Sequence, residues 1–112
     1  MKKLIAYDLG TGGIKASLFS EDGASLSDVF IQYETYFPQE HFVEQRPMDW
    51  WDHVCAATQK LLLTSGSSAS DIACVALSGH SLVAVPLDSM GRLLADQVPI
   101  WCDMRAKEEA GE

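Results

Sequence analysis

Apolar and polar residues alternate along two short runs at the start of the chain. Residues 3 to 9 (KLIAYDL) and 14 to 20 (IKASLFS) each read as a β-strand, and a glycine-rich turn separates them. Glu21-Asp22-Gly23 marks a second turn, because Asp-Gly supplies the positive φ that a tight hairpin needs. Residues 24 to 34 (ASLSDVFIQYE) form a third strand, with Leu26, Val29, Ile31 and Tyr33 as its apolar positions. Three strands joined by short turns make an antiparallel meander. From Tyr36 to Arg46 the pattern is irregular and interrupted by Pro38.

The period then changes. Pro47 suits the first turn of a helix, where Asp49 and Asp52 favour the positive end of its dipole. Trp51, Val54, Cys55, Thr58, Leu61 and Leu62 recur at helical spacing, and Trp50 and Trp51 are expected in the core. Gly66 ends the helix, and SGSSASD (65 to 71) is a polar loop. Residues 72 to 78 (IACVALS) are almost continuously apolar, the pattern of a strand buried on both faces. After GHS, a further strand is expected from Leu82 to Leu87, ending in a turn at Asp88-Ser89-Met90-Gly91. The order is β-β-β-α-β, with the helix as the crossover that a parallel fourth strand requires. The closing DMRAKEEAGE reads as the opening of a helix, with Asp103 as its N-cap, so the chain is expected to be part of a longer protein.

Composition narrows the classes. The 112 residues suffice for one domain at most, and 47% hydrophobic with 21% charged is the balance of a globular protein. The net charge is −8 with no Lys/Arg cluster, which argues against nucleic-acid binding through the phosphate backbone. It does not oppose nucleotide binding, since backbone amides and a metal ion can supply a local positive field. Cys55, Cys74 and Cys102 show neither CxxC nor Cys/His spacing, which points to reduced thiols and a cytoplasmic protein. No apolar run reaches the length of a membrane span, so no membrane partner is expected.

The turn in YDLGTGGIKASLF (7 to 19) is where chemistry enters. Read blandly, it is a hairpin that uses flexible residues, with Lys15 a solvated strand position. Read functionally, Asp8 at a strand end holds Mg²⁺ directly or through water. The amides of Gly10, Thr11 and Gly12 then face phosphate oxygens that no Cβ obstructs, with Lys15 one step inside to neutralise charge. A Walker loop is excluded because GxxxxGK[ST] is absent and a strand follows the turn, and a Rossmann fingerprint fails for the same reason.

A phosphate-binding hairpin inside a β-β-β-α-β unit resembles the first domain of the sugar kinase, heat-shock chaperone and actin superfamily, an α/β, ribonuclease-H-like fold with a mixed sheet. Three further stretches narrow the likeness. EQRPMDWW (44 to 51), ALSGHS (76 to 81) and PIWCDMRA (99 to 106) are similar, in order and spacing, to segments of FGGY-type carbohydrate kinases. The chain thus resembles the N-terminal portion of domain I in that family, residues 1–112, with the second domain absent. The resemblance, xylulose kinase-like, implies ATP-dependent phosphorylation of a small, pentulose-like sugar or polyol, with a different pentose, pentulose or polyol equally open.

Carried over by position, Asp8 helps place Mg²⁺ while Gly10, Thr11, Gly12 and Lys15 face the ATP phosphates. His80, Ser81 and Leu82 lie at the sugar end, and Trp101 and Asp103 line it. His80 is equally a turn-capping group and Trp101 a core residue on a purely structural reading, and Glu44 and Gln45 read as structural ties. His80-Ser81-Leu82 stands where xylulose kinases have Gln-Met-His and where glycerol kinases end in Arg-Glu, so the loop matches neither. The family's catalytic aspartate and adenosine motifs fall beyond residue 112, which predicts no turnover by the 112-residue chain alone. A homodimer of the parent is compatible with these features. Two other readings stay open, a non-catalytic nucleotide- or sugar-binding half-domain and an actin-like ATPase.

Overall fold

The structure is a computed structural model and describes residues 1–111, so the last residue of the expected 1–112 segment lies outside the described residues. Its elements are β1 (Lys3–Leu9), β2 (Gly13–Ser20), β3 (Ser25–Gln32), β4 (Glu44–Gln45), α1 (Pro47–Ser65), β5 (Ile72–Ser78), β6 (Val98–Pro99) and α2 (Lys107–Ala110). They divide into two compact units. One comprises Met1–Tyr33 and Trp50–Gly79; the other comprises Glu34–Asp49 and the chain from His80 onward.

The first unit is a four-stranded mixed sheet in the order β3-β2-β1-β5. β1 pairs antiparallel with β2 and β2 with β3, as the meander requires, and β5 lies parallel to β1. Parallel pairing needs a long return connection, and α1 supplies it. The turn between β2 and β3 closes through Gly23, which takes a positive φ of 90° and donates its amide to Ser20 O. Alternation sends Ile5, Tyr7, Leu9, Ile14, Ala16, Leu18 and Val29 to one face, where they bury against Ala57 and Leu61 of α1. Tyr7 places its hydroxyl on Thr58 Oγ1, and Thr58 in turn donates to Val54 O at 2.7 Å. Two hydroxyls at a core boundary are thereby satisfied.

Three expectations are corrected here. Val54 and Leu61 pack on the core as expected, but Ala57 and Trp50 share that face with them, and Trp51 is 60% exposed and not in the core. β5 is not buried on both faces: it is a sheet edge, with Val75 and Leu77 exposed beside α1. Its apolar run therefore marks a surface the described residues leave open. Finally, Leu82 to Leu87 forms no strand. Pro86 lacks an amide to donate, Leu82 takes a left-handed φ of 58°, and only a single bridge joins Leu87 to Leu93.

α1 ends as its sequence requires. Gly66 takes φ 66° and the Ser67 amide reaches back to Leu62 O at 3.0 Å, a left-handed cap only glycine adopts cheaply.

In the second unit, β4 pairs antiparallel with β6 inside the stretch expected to be irregular. Val98, Ile100 and Gln45 are its buried residues. Ile100 donates its amide to Val43 O (3.0 Å) and Met104 to His41 O (2.8 Å), which binds the 99 to 104 segment to the chain before α1. The N-cap of α2 is Ala106 and not Asp103, whose carboxylate is used elsewhere. Among the described residues no helix is long and apolar enough to cross a membrane.

Candidate functional site

The first cluster is the β1–β2 turn. Asp8 is the cross-strand partner of both Lys15 on β2 and Ser78 on β5, so the three occupy one row of the sheet. Because side chains alternate, that row faces away from the core that Tyr7 and Leu9 enter. Asp8, Thr11, Gly12 and Lys15 are all exposed. Opposite charges directly across an antiparallel pair contribute a few tenths of a kcal/mol, about 0.2–1 kcal/mol in general, so this is a placement more than a source of stability.

The three glycines of the turn have three different reasons. A Cβ on Gly13 would lie 2.4 Å from Ile31 O and 2.9 Å from Gln32 Cα, so β3 itself requires a bare residue there. At Gly10 an added carbon would reach Gly13 O at 3.4 Å, ordinary contact. At Gly12 it would meet nothing within 4 Å, and the backbone has no left-handed φ. Nothing in the packing or backbone geometry of the described residues asks for glycine at position 12.

The turn's acceptors are drawn inward by a residue the sequence reading treated only as an apolar strand position. Tyr33 donates its hydroxyl to Gly10 O, and its backbone amide donates to Gly12 O at 3.3 Å. Tyr33 is 5% exposed, and its ring meets His53 edge-on with centroids 5.5 Å apart. Burial, with the Asp8 carboxylate second, pushes its phenol up to about 12. The signal was available: a buried tyrosine needs a partner for its hydroxyl. One expected donor is committed within the turn, since the Gly10 amide donates to Gly13 O at 3.0 Å.

Gly79 ends β5 beside this row. An added Cβ there would come 3.1 Å from Leu9 Cβ, so the strand end closes tightly on β1 before the chain reaches His80.

The residues expected at the sugar end all lie in the second unit. His80 is half-buried, and its Nε2 lies 2.9 Å from Oε1 of Gln45, which is 1% exposed. Burial lowers the imidazole pKa below its ordinary value. Ser81 and Leu82 follow on the surface. Trp101 sits in a turn closed by the Asp103 amide on Ile100 O (2.9 Å) and is 56% exposed, so it is not a core residue.

Asp103 is held firmly. Oδ1 accepts from the Val43 amide (2.7 Å) and from Arg105 Nη2 (2.9 Å), and Oδ2 accepts from Arg105 Nε at 2.8 Å. The Arg105 fork and the amides keep this carboxyl below the usual carboxylate range. Arg105 also reaches Glu44 Oε2 at 2.6 Å and lies 3.8 Å above the Phe42 ring. Its role as a hub was not read from the sequence, because Asp103 is near in the chain but Glu44 lies 61 residues away and Phe42 farther still.

Among the described residues, no three His, Cys, Asp or Glu side chains converge to hold a metal ion.

The comparisons with known proteins agree with one another. Residues 3–112 match the family model for the N-terminal domain of the FGGY family of carbohydrate kinases. A xylulose kinase from Bacillus subtilis is 30% identical over 105 residues, covering 94% of this chain and 21% of that protein. A glycerol kinase from Rhodopseudomonas palustris is 26% identical over 108 residues, 96% of this chain and 22% of that one. The crystal structure of a "xyloylose kinase" from Brucella ovis matches with a TM-score of 0.90 at 28% identity, covering 97% of this chain and 23% of that one. The chain spans about a fifth of the length of these curated relatives.

Proposed function

Because this chain belongs to the FGGY family of carbohydrate kinases, we propose that the whole protein transfers the γ-phosphate of ATP to a hydroxyl of a small, pentulose-like sugar or polyol. We read the fold as the first part of a ribonuclease-H-like domain in a two-domain kinase, working in the cytoplasm. The observation that carries the reading is the β1–β2 turn. Its Gly10 and Gly12 carbonyls are tied to Tyr33, and the bareness of Gly12 answers to nothing among the described residues.

Phosphoryl transfer needs positioning and charge neutralisation more than covalent chemistry from the protein. Magnesium-bound ATP supplies the phosphoryl group and much of that neutralisation. The chain's own residues would hold it: Asp8 as one ligand to the metal, directly or through water, and the turn from Gly10 to Gly12 beside the phosphates. Tying both carbonyls inward removes oxygens that would repel an anion. Lys15 adds a positive charge next to Asp8.

His80 and Ser81 would receive sugar hydroxyls, with Leu82 shaping the same loop. The exposed Trp101 face suits the C–H surface of a sugar ring. Asp103, with both oxygens engaged by Arg105, serves this site by fixing the segment that carries Trp101. The base that accepts the hydroxyl proton is an aspartate expected beyond residue 112, so the 112-residue chain alone has no turnover.

A panel of pentuloses, aldoses and polyols assayed against the full-length protein with ATP and Mg²⁺ tests the reading. Phosphorylation of one of them supports it. ATP hydrolysis that no sugar or polyol stimulates would leave an actin-like ATPase as the better description, and sugar-dependent ATP consumption by residues 1–112 alone would overturn the placement of the base.

A further inference from the structure

His53 ties helix α1 to the end of β3. Its Nε2 lies 3.1 Å from the main-chain oxygen of Gln32, the last residue of that strand. A carbonyl oxygen only accepts, so Nε2 carries a hydrogen and donates it, in the neutral ring and in the cation alike. The imidazole also meets the ring of Tyr33, the next residue, at an interplanar angle of 79°, an edge-on contact of the kind aromatic rings favour. One side chain thus grips two consecutive residues, the first by its main chain and the second by its ring.

That grip falls where the β-ladder stops. Gly13 with Gln32 is the last pair between β2 and β3, so Tyr33 stands one residue past it and the ladder does not aim its ring. Yet the turn depends on that aim: the Tyr33 hydroxyl donates to Gly10 O, and its amide donates to Gly12 O at 3.3 Å. A phenol that swung to another rotamer would release the Gly10 carbonyl.

We infer that His53 is a positioning residue for the β1–β2 turn: from α1 it fixes the end of β3 and the ring of Tyr33, and through them keeps the Gly10 and Gly12 carbonyls from facing the phosphates of a bound nucleotide. The last clause rests on the proposed phosphate site; the hold on the turn does not. A carbonyl let loose toward a phosphate would set its negative end against an anion, so the cost falls on nucleotide binding.

The test is hydrogen exchange on the full-length protein, read at the Gly10 and Tyr33 amides, which donate to Gly13 O and Gly12 O. His53→Ala should speed exchange at both about threefold to tenfold, the effect expected of one lost hydrogen bond. His53→Gln, which keeps a donor near the position of Nε2 but no ring, should fall between wild type and His53→Ala. In a Tyr33→Phe background, where the hydroxyl bond is already gone, His53→Gln should change exchange at Gly10 less than it does in wild type. Unchanged exchange in His53→Ala would overturn the inference, and so would an equal effect of His53→Gln in both backgrounds.

By calorimetry, His53→Ala should weaken ATP binding about threefold to tenfold while the sugar KM stays within about twofold, a split that a loss of folded protein alone does not produce. Faster exchange with unchanged ATP affinity would sink the phosphate reading and leave the hold on the turn standing.

Discussion

Tyr33 donates its phenolic hydrogen to the carbonyl of Gly10, and so one side chain from the end of β3 governs the turn between β1 and β2. Removing it in Tyr33→Phe should cost about 1 kcal/mol, the net worth of one buried hydrogen bond, and should speed amide exchange at Thr11 and Gly12. The phenol also predicts a pH dependence. Its folded value of about 12 lies above the ordinary 10.0, so the folded chain holds this proton more tightly than the unfolded one. Its contribution is complete below pH 10 and is lost as pH rises through 12. Denaturation curves across that window should converge for wild type and Tyr33→Phe. Parallel curves would mean that the phenol is not what the alkaline side attacks.

Gly12 and Gly13 should respond oppositely to alanine. Gly13→Ala forces a carbon to within 2.4 Å of Ile31 O, a backbone atom that cannot step aside, so the expected loss is at least about 1–3 kcal/mol. Gly12→Ala meets open space and should leave stability within about 0.5 kcal/mol. In the full-length protein it should nevertheless weaken nucleotide binding, measured by calorimetry. Unchanged affinity would remove Gly12 from the phosphate cradle.

Asp8 and Trp101 separate metal from sugar. Asp8→Ala in the full-length protein should lower kcat about a hundredfold or more while changing sugar affinity little, because a metal ligand matters most where charge moves. Trp101→Ala should raise the sugar KM. Both side chains are exposed, so thermal unfolding should shift little in either variant. A large loss of stability with normal kinetics would return each to a structural role.

Arg105 holds Asp103, Glu44 and the Phe42 ring at once. Arg105→Met should cost about 2 kcal/mol, as expected for charge-assisted hydrogen bonds, and Arg105→Lys should recover only part, since an ammonium lacks the planar fork. The folded pKa of Asp103 lies below the ordinary 3.8. Its contribution is therefore present above pH 3.8 and is lost as pH falls through the lower folded value. The acid limb of the stability curve should be shallower in Arg105→Met than in wild type. An identical limb would show that the pair does not set acid sensitivity.

The β-strands of the first unit were legible because each has a strong period-two pattern and a turn with its own chemistry, as Asp22-Gly23 shows. The start of α1 at Pro47 and its end at Gly66 were legible for the same local reasons. Its rotation was not: Trp50 and Trp51 are equally apolar, and only tertiary packing decides which one turns inward. The run from Ile72 to Ser78 announced a strand but could not say whether both faces are covered. Two-residue strands such as Glu44–Gln45 carry no period at all. At the candidate site, Asp8 and the turn were visible as a motif, whereas Tyr33, Gln45 and Arg105 act across long stretches of chain and became visible only in the fold.

β5 completes the sheet order, yet among the described residues no strand pairs with its outer main-chain row, the geometry of a half-closed zipper. An extended segment of matching pattern can fasten onto it. The 112-residue chain produced alone should accordingly self-associate as its concentration rises, and producing it together with the rest of the parent polypeptide should return it to a single defined species.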